Sequence, residues 1–426
     1  MHPNYYNNNN KYYNKYNNNY NNYNNYNKKY SNNYGNYRKK RKFIDFNIDT
    51  QNFQSIYPTN NIEKVTKSTE EGFTGSKENW FDNNEFFKNL PGHSDIENKK
   101  DYYFNSYSSF NIHEEMLKDK IRTGTFKDAI MENTDIFKDK IVLDIGCGTG
   151  ILSIFAAKAG ASHVYAIEFA DIADYAKEII KRNNLNDKIT IIKKKVEDTE
   201  LPVEKVDIII SEWMGYFLLY ESMFDSVLYA RDKWLDKNNG FMLPDTASIT
   251  IASIEDIDYK KSKVDFWDNV YGINMDCFKQ TTIAEPLIDI CPKNRINSNS
   301  CKIFEIDLLN VKKEELDFSS SYELTFQKNN DYFSGIVGWF ETGFTKLNKK
   351  FNLSTSPYLK STHWQQTVFY TKKDFAVSKG DKVFGSIAVR KSVTNFRQLD
   401  IKISYHVDNG NKDKEENNWY QLYKIV

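Results

Sequence analysis

The sequence predicts an α/β unit followed by an all-β, barrel-like unit, and three features carry that prediction. Between residues 140 and 211, short apolar runs alternate with helix-period segments, the pattern of a parallel sheet with helices on both faces. After Asn238, Asn239 and Gly240 the chain turns to short runs rich in Ile, Val, Thr, Phe and Tyr between turn residues, as in an antiparallel barrel. A glycine-rich loop, residues 144–150, joins the first strand of the alternating region to its first helix.

The 426 residues suffice for two or three domains. Charge is segregated along them. Residues 1–42 hold nine of the 58 Lys and Arg and none of the 58 Asp and Glu, so the rest keeps 49 basic against 58 acidic groups, a net of −9. A cationic arm is thus attached to an acidic body. Residues 1–37 contain 17 Asn and 11 Tyr. With almost no aliphatic surface to offset ordering entropy, they are predicted to be disordered. Tyrosines between lysines suit stacking on bases, so residues 1–42 are a candidate weak nucleic-acid contact; a plain low-complexity extension is the competing reading. The run Arg38 to Lys42 reads equally as a nuclear import signal or a solvated charge cluster.

No apolar run reaches about 18 residues, and the N-terminus lacks a secretory core, which predicts a soluble protein of nucleus and cytoplasm with no membrane contact. Four cysteines without a Cys-x-x-Cys pair predict neither a disulfide scaffold nor a zinc site.

Residues 43–100 read as a polar, irregular linker, with order beginning near Asp101. Short helices follow to about Lys138, one of them capped by Asn111. Strands are predicted at 141–144, 163–167, 189–196 and 206–211, and helices at 151–158 and 171–182. The α/β domain then spans 101–243 and the β-domain 244–426, with a helical excursion at 259–286.

The glycine loop has Ile151 where a dinucleotide fingerprint needs a third glycine, which favours S-adenosylmethionine over a nicotinamide cofactor. Glu168, ending the second strand, is placed to accept ribose hydroxyls, and Glu197, ending the third, to accept an adenine amino group. Glu212 and Glu221 flank an aromatic and apolar loop after the fourth strand, and the helix that follows is predicted to start near Tyr220. Two carboxylates in such a pocket demand a cation, and a planar guanidinium that stays charged is the natural one.

The segment from Ser211 to Met223 resembles the double-glutamate loop of the protein arginine N-methyltransferases. The resemblance extends from about Asp101 to the C-terminus. It includes Tyr103-Phe104-x-x-Tyr107, the run Ile112 to Leu117, the glycine loop Asp144 to Gly150 and the sequence Thr362-His363-Trp364. It implies a Rossmann-like S-adenosylmethionine-dependent methyltransferase domain, then a substrate-binding β-barrel with a helical dimerisation arm at about 259–286, and hence a homodimer. It further implies that Arg122 pairs with the cofactor's methionine carboxylate, Gly146 lines its backbone, Glu168 its ribose and Glu197 its adenine, with His113 against the same pocket. Without the family, His113 reads as an ordinary partly buried histidine.

Glu212 and Glu221 would hold the substrate arginine. His363, paired with Asp119, would take a proton or pin two domains together. Met116 and Met223 go with a type I product, asymmetric dimethylarginine. The implied substrates are Arg-rich proteins, histone tails and Gly/Arg-rich RNA-binding proteins among them. Two features depart from the family's pattern: the Asn/Tyr-rich arm, and Cys147 where close relatives carry serine. Rival readings are a nucleic-acid-binding scaffold with a non-catalytic methyltransferase core, and a small-molecule methyltransferase.

Overall fold

The computed structural model describes residues 102–410 and 418–426 together with Phe73, Trp80 and Phe81. The chain divides into units 1–60 and 61–426, and every described residue belongs to the second. The predicted disordered arm, its nucleic-acid contact and most of the linker lie outside the described residues.

From residue 102 onward the described chain begins with four helices: α1 (Tyr102–Ser106), α2 (Phe110–Lys118), α3 (Lys120–Met131) and α4 (Thr134–Phe137). Helix α2 starts one residue before the predicted cap, so Asn111 lies inside it and Ser109 takes the N-cap position. A five-stranded parallel sheet follows in the order β3-β2-β1-β4-β5. Its strands are β1 (Ile141–Ile145), β2 (His163–Ile167), β3 (Ile189–Ile192), β4 (Ile208–Ile210) and β5 (Phe241–Leu243).

Helices α5 (Ile151–Lys158), α6 (Ile172–Arg182) and α7 (Phe224–Trp234) connect the strands. Four of the five β1 residues are buried, as expected for a central strand covered on both faces. Helix α6 turns Ile172, Ala173, Ala176 and Ile180 inward, one apolar stripe at helical spacing. The chain leaves β1 for β2 on one side and reaches β4 on the other. The crevice beyond their C-terminal ends is therefore the topological switch point, where open α/β sheets place ligands.

Strand β5 falls on the α/β side of the boundary predicted at 243. Its residues belong to the β-rich stretch by composition, yet they pair in parallel with β4 and close the first sheet. The antiparallel part begins at β6 (Thr246–Ile254) and continues through β7 (Leu287–Asp289), β8 (Ile296–Asp307), β9 (Phe318–Thr325), β10 (Asp331–Phe344), β11 (Phe351–Ser354), β12 (Gln366–Val377), β13 (Lys382–Lys391), β14 (Leu399–Asp408) and β15 (Asn418–Ile425). It forms two sheets, β7-β12-β10-β6-β8 with β11 on β10, and β15-β14-β13-β9; a bridge between Ser298 and Phe326 joins them on one side. Between β6 and β7 the predicted excursion is helical, with α8 (Ile257–Asp265), two 3-10 turns and α9 (Lys279–Ala284).

One apolar cluster runs through both sheet systems. Phe126 meets Phe344 edge-on at 5.1 Å between ring centres, and Phe217 meets Phe369 at 5.1 Å. A Cβ at Gly338 in β10 would collide with the Phe217 ring, so the barrel leaves that methyl out to seat the loop that carries Glu212 and Glu221.

Order also begins earlier than predicted. Trp80 and Phe81 are buried against Ala388 and Leu422 on the four-stranded sheet, with the Arg390 guanidinium 4.0 Å above the Phe81 ring. These linker aromatics find an apolar sheet face, which the segment's polar average conceals. Replacing a buried Phe by Ala costs about 3–5 kcal/mol, so Phe81→Ala is expected to lower the urea midpoint of unfolding clearly. An unchanged midpoint would show that this contact does not hold in solution.

Candidate active site

At the C-terminal edge of the parallel sheet lies a cavity of ≈210 Å³, lined by the glycine loop, α1, α2, the loop after β4 and residues of the barrel. The glycine loop bends around Gly146, Gly148 and Gly150, all at positive φ, and a Cβ on Gly146 would stand 2.6 Å from the Met223 methyl. Only glycine lets the backbone line the cavity there. Asp144, wholly buried beneath the loop, accepts a 2.6 Å hydrogen bond from Ser153, and burial pushes its carboxyl up to about 7. Burial, with the neighbouring Asp144 and Glu168, raises the Cys147 thiol well above its ordinary range. Shielding and a raised pKa both lower the thiolate fraction on which its reactivity depends.

Glu168 follows β2 directly. Its two oxygens accept the amides of Gly148 (3.0 Å) and Ala170 (2.8 Å), which fixes the carboxylate against the glycine loop while burial raises its pKa. His113 lies with its ring against Gly148 and Nε2 2.7 Å from the Tyr107 carbonyl; burial lowers its pKa and keeps it neutral. Glu197 departs from expectation. Strand β3 stops at Ile192, four residues short of the predicted end, and Glu197 sits in an exposed turn, accepting from the Ser226 hydroxyl at 2.7 Å. It still lines the cavity rim.

Arg122 points from α3 onto Glu212, its Nε at 2.7 Å and NH2 at 2.6 Å from the same oxygen, Oε2. Both side chains are about nine-tenths buried. Glu212 Oε1 is buried as well, and it has no hydrogen-bond partner. Glu221 accepts from the Tyr107 hydroxyl at 2.8 Å, and burial, with Glu212 nearby, pushes its carboxyl up to about 7. Glu221 and Ser222 both have positive φ, and helix α7 starts only at Phe224, not near 220 as predicted. The strained turn aims the carboxylate inward, where a helical start would not.

Asp119 joins the two halves of the site. One oxygen caps α3 by accepting the amides of Ile121 and Arg122, and the other accepts the His363 backbone amide at 2.9 Å and ring Nδ1 at 2.8 Å. Burial alone would raise its pKa; the hydrogen bonds from His363 and Arg122 outweigh it and hold the carboxyl at about 2. The neighbouring Trp364 donates its indole N–H to the Met214 carbonyl at 2.9 Å.

Residues 245–410 match the arginine methyltransferase oligomerization subdomain, and residues 129–220 match the ribosomal protein L11 methyltransferase family. Protein arginine N-methyltransferase 1 of Chlamydomonas reinhardtii is 53% identical over 72% of this chain and 89% of its own length. The namesake from Schizosaccharomyces pombe is 52% identical over 72% and 89%. The chain belongs to the protein arginine N-methyltransferase family. Solved structures agree. The Trypanosoma brucei PRMT1 enzyme-prozyme heterotetrameric complex with AdoHcy superposes with a TM-score of 0.71 at 41% identity, covering 75% of this chain and 100% of that one. Arabidopsis thaliana protein arginine methyltransferase 10 gives 0.69 at 32%, covering 76% and 100%.

The residues of this methyltransferase fit S-adenosylmethionine. The glycine cradle holds a left-handed backbone at Gly146, Gly148 and Gly150 that other residues rarely adopt, Glu168 stands at the ribose-accepting strand end, and the His113 ring lies against Gly148. Among the described residues no group of His, Cys, Asp or Glu is arranged to hold a metal ion, and no helix is long and apolar enough to cross a membrane. Sequence reasoning missed the Glu212 partner of Arg122 and missed Arg397 entirely. The latter comes from the β13–β14 turn, and no local motif marks it.

Proposed function

We infer that this methyltransferase transfers methyl groups from S-adenosylmethionine to guanidinium nitrogens of protein arginines, as a type I enzyme giving mono- and asymmetric dimethylarginine. The observation that carries the reading is the carboxylate pair. Glu212 presents a buried oxygen without a hydrogen-bond partner, and Glu221 presents a desolvated carboxylate to the same cavity. A substrate guanidinium supplies the planar donors and the charge that both require.

S-adenosylmethionine supplies a methyl carbon made electrophilic by a sulfonium leaving group. The chain's own residues then bind and orient. Glu168, His113 and the Gly146 backbone hold the cofactor, with Glu197 at the adenine end. Arg122 serves the cofactor's carboxylate and keeps Glu212 in place. Glu212 and Glu221 fix the substrate so that one terminal nitrogen faces the methyl group, and orientation of this kind supplies up to roughly 7–11 kcal/mol of the barrier. His363, its Nδ1 engaged by Asp119, takes the product proton at Nε2. Met116 and Met223 line the cavity, and we take them as the residues that direct the second methyl to the same nitrogen.

Arg-rich tracts, histone tails and Gly/Arg-rich RNA-binding proteins are the substrate class we propose, because the −9 body of residues 43–426 attracts cations. The nuclear and cytoplasmic distribution suggested by residues 38–42 is part of the same proposal. The arm between β6 and β7 exposes Phe266, Tyr271, Ile273 and Phe278, an apolar surface suited to a second copy, and we propose a homodimer.

Labelled S-adenosylmethionine with a glycine-arginine peptide is expected to label arginine and not a Lys-substituted copy, with asymmetric dimethylarginine as the doubly methylated product. Glu221→Gln is expected to lose about 100-fold or more in kcat. Cofactor binding without label on any peptide would favour the scaffold reading instead. Light scattering at micromolar concentration should give twice the chain mass; an active monomer would remove the dimer.

The pH dependence has a definite sign. Burial raises Glu221 to about 7, so below that pH the free enzyme holds it neutral and unable to pair with a guanidinium. The kcat/KM for the peptide is expected to fall as pH drops through about 7, and kcat to persist to lower pH, because bound cation favours the carboxylate. A kcat/KM flat from pH 8 to 5.5 would contradict it.

A further inference from the structure

The turn between β13 and β14, residues 392–398, reaches from the barrel into the active site. It is braced internally by Gln398 N–H to the Asn395 carbonyl (2.9 Å), Ser392 N–H to the Gln398 carbonyl (2.9 Å) and Arg397 N–H to Asn395 Oδ1 (3.1 Å). From this rigid base it grips the strained residues after β4 at three points. Glu221 N–H donates to the Arg397 carbonyl at 2.7 Å, Arg397 NH1 donates to the Glu221 carbonyl at 2.8 Å, and Ser222 Oγ donates to the Phe396 carbonyl at 2.6 Å. These bonds hold the two positive-φ residues, a conformation that otherwise costs on the order of 1–3 kcal/mol each.

The same guanidinium also faces the other way. Its central carbon lies 3.9 Å from the Tyr103 ring centre and 5.2 Å from that of Phe104, both on α1, and Arg397 is almost fully buried. Helix α1 and the residue that follows it therefore meet the Glu221 turn twice: through Arg397 under Tyr103, and through the Tyr107 hydroxyl on the Glu221 carboxylate. The Tyr103 and Tyr107 rings pack together at a tilt of 57° with centres 4.8 Å apart, so the two ties share one aromatic cluster.

We propose that Arg397 is a positioning residue that makes the seating of α1 over the cavity and the presentation of Glu221 to substrate a single event. A planar guanidinium is suited to this, because it stacks on an aromatic face while its edge donates to a carbonyl. A lysine keeps the charge but offers no flat face or fork. The proposal rests on Glu221 being a holder of the substrate guanidinium, and its test separates the two ideas.

The test uses the full chain with Arg397→Lys, Tyr103→Leu, their double variant, Ser222→Ala and Glu221→Gln. Arg397→Lys is expected to lower kcat about tenfold or more while the thermal midpoint moves by only a few degrees. Tyr103→Leu in the Arg397→Lys background should add less than about twofold, since both break the same tie; multiplying losses would mean independent roles. Ser222→Ala, which removes a hydroxyl and no charge, should lower kcat several-fold, and it decides the matter if the Arg397 variant does not fold. An Arg397→Lys kcat within about twofold of the parent, beside an inactive Glu221→Gln, overturns the tie and leaves the carboxylate pair standing. An active Glu221→Gln overturns both.

Discussion

Keeping two carboxylates dry at one end of a sheet is the constraint on which the rest of the site depends. Glu212 and Glu221 line one buried cavity, where each is deprived of water and repelled by the other. Burial raises Glu221 from its ordinary value near 4.5 to about 7. Ionising it in the fold therefore costs on the order of 3 kcal/mol more than in water. Such a group is held only if its surroundings are stable enough to absorb that cost. Glu212 is treated differently, with Arg122 clamped on one oxygen and the other left without a partner. Removing Arg122 would leave an uncompensated buried charge, which typically costs about 3–5 kcal/mol.

The surroundings absorb it by binding the α/β sheet and the barrel into one core. Phe217, inside the double-glutamate loop, packs on Phe369 and needs the bare Gly338 backbone beneath it. Trp364 donates to the Met214 carbonyl in the same loop, and Asp119 joins the start of α3 to His363. Each contact is a barrel residue fastened to an α/β residue at the rim of the cavity. Asp119 satisfies four donors with two oxygens, which explains a carboxyl held at about 2 despite its burial. Whatever proton chemistry His363 performs, the pair fixes the relation between the two halves.

Most of this architecture was legible in the sequence because it is written in local patterns. The glycine loop, the apolar strands β1, β2 and β4 and the helix at 151–158 appear where periodicity and glycine spacing put them. The pair Glu212 and Glu221 was legible because aromatic and apolar residues surround both. What failed, failed for tertiary reasons. Strand β3 ends at Ile192, where its pairing with β2 stops; Lys193, Lys194 and Lys195 interrupt the apolar run, and Val196 is buried beyond the strand's end. Helix α7 begins late because the barrel's turn holds Glu221 and Ser222 at positive φ, against their helical propensity. Trp80 and Phe81 were hidden by a polar average, and a sheet face distant in sequence gives them their place.

That distinction explains why the barrel is indispensable to chemistry carried by the other domain. The parallel sheet alone brings the glycine loop, Glu168 and Glu212 to the ends of three neighbouring strands. It does not determine the direction of Glu221, which lies on a thirteen-residue excursion, residues 211–223, with left-handed turns at Phe217, Leu218, Glu221 and Ser222. Four such residues in one loop cannot rest on local preference, since each opposes it. They persist because Phe217 is inserted into the barrel and Glu221 and Ser222 are bonded to its β13–β14 turn. The placement of the glycine loop, Glu168 and Glu212 is thus encoded in the sheet, and the direction of Glu221 is imposed from the barrel.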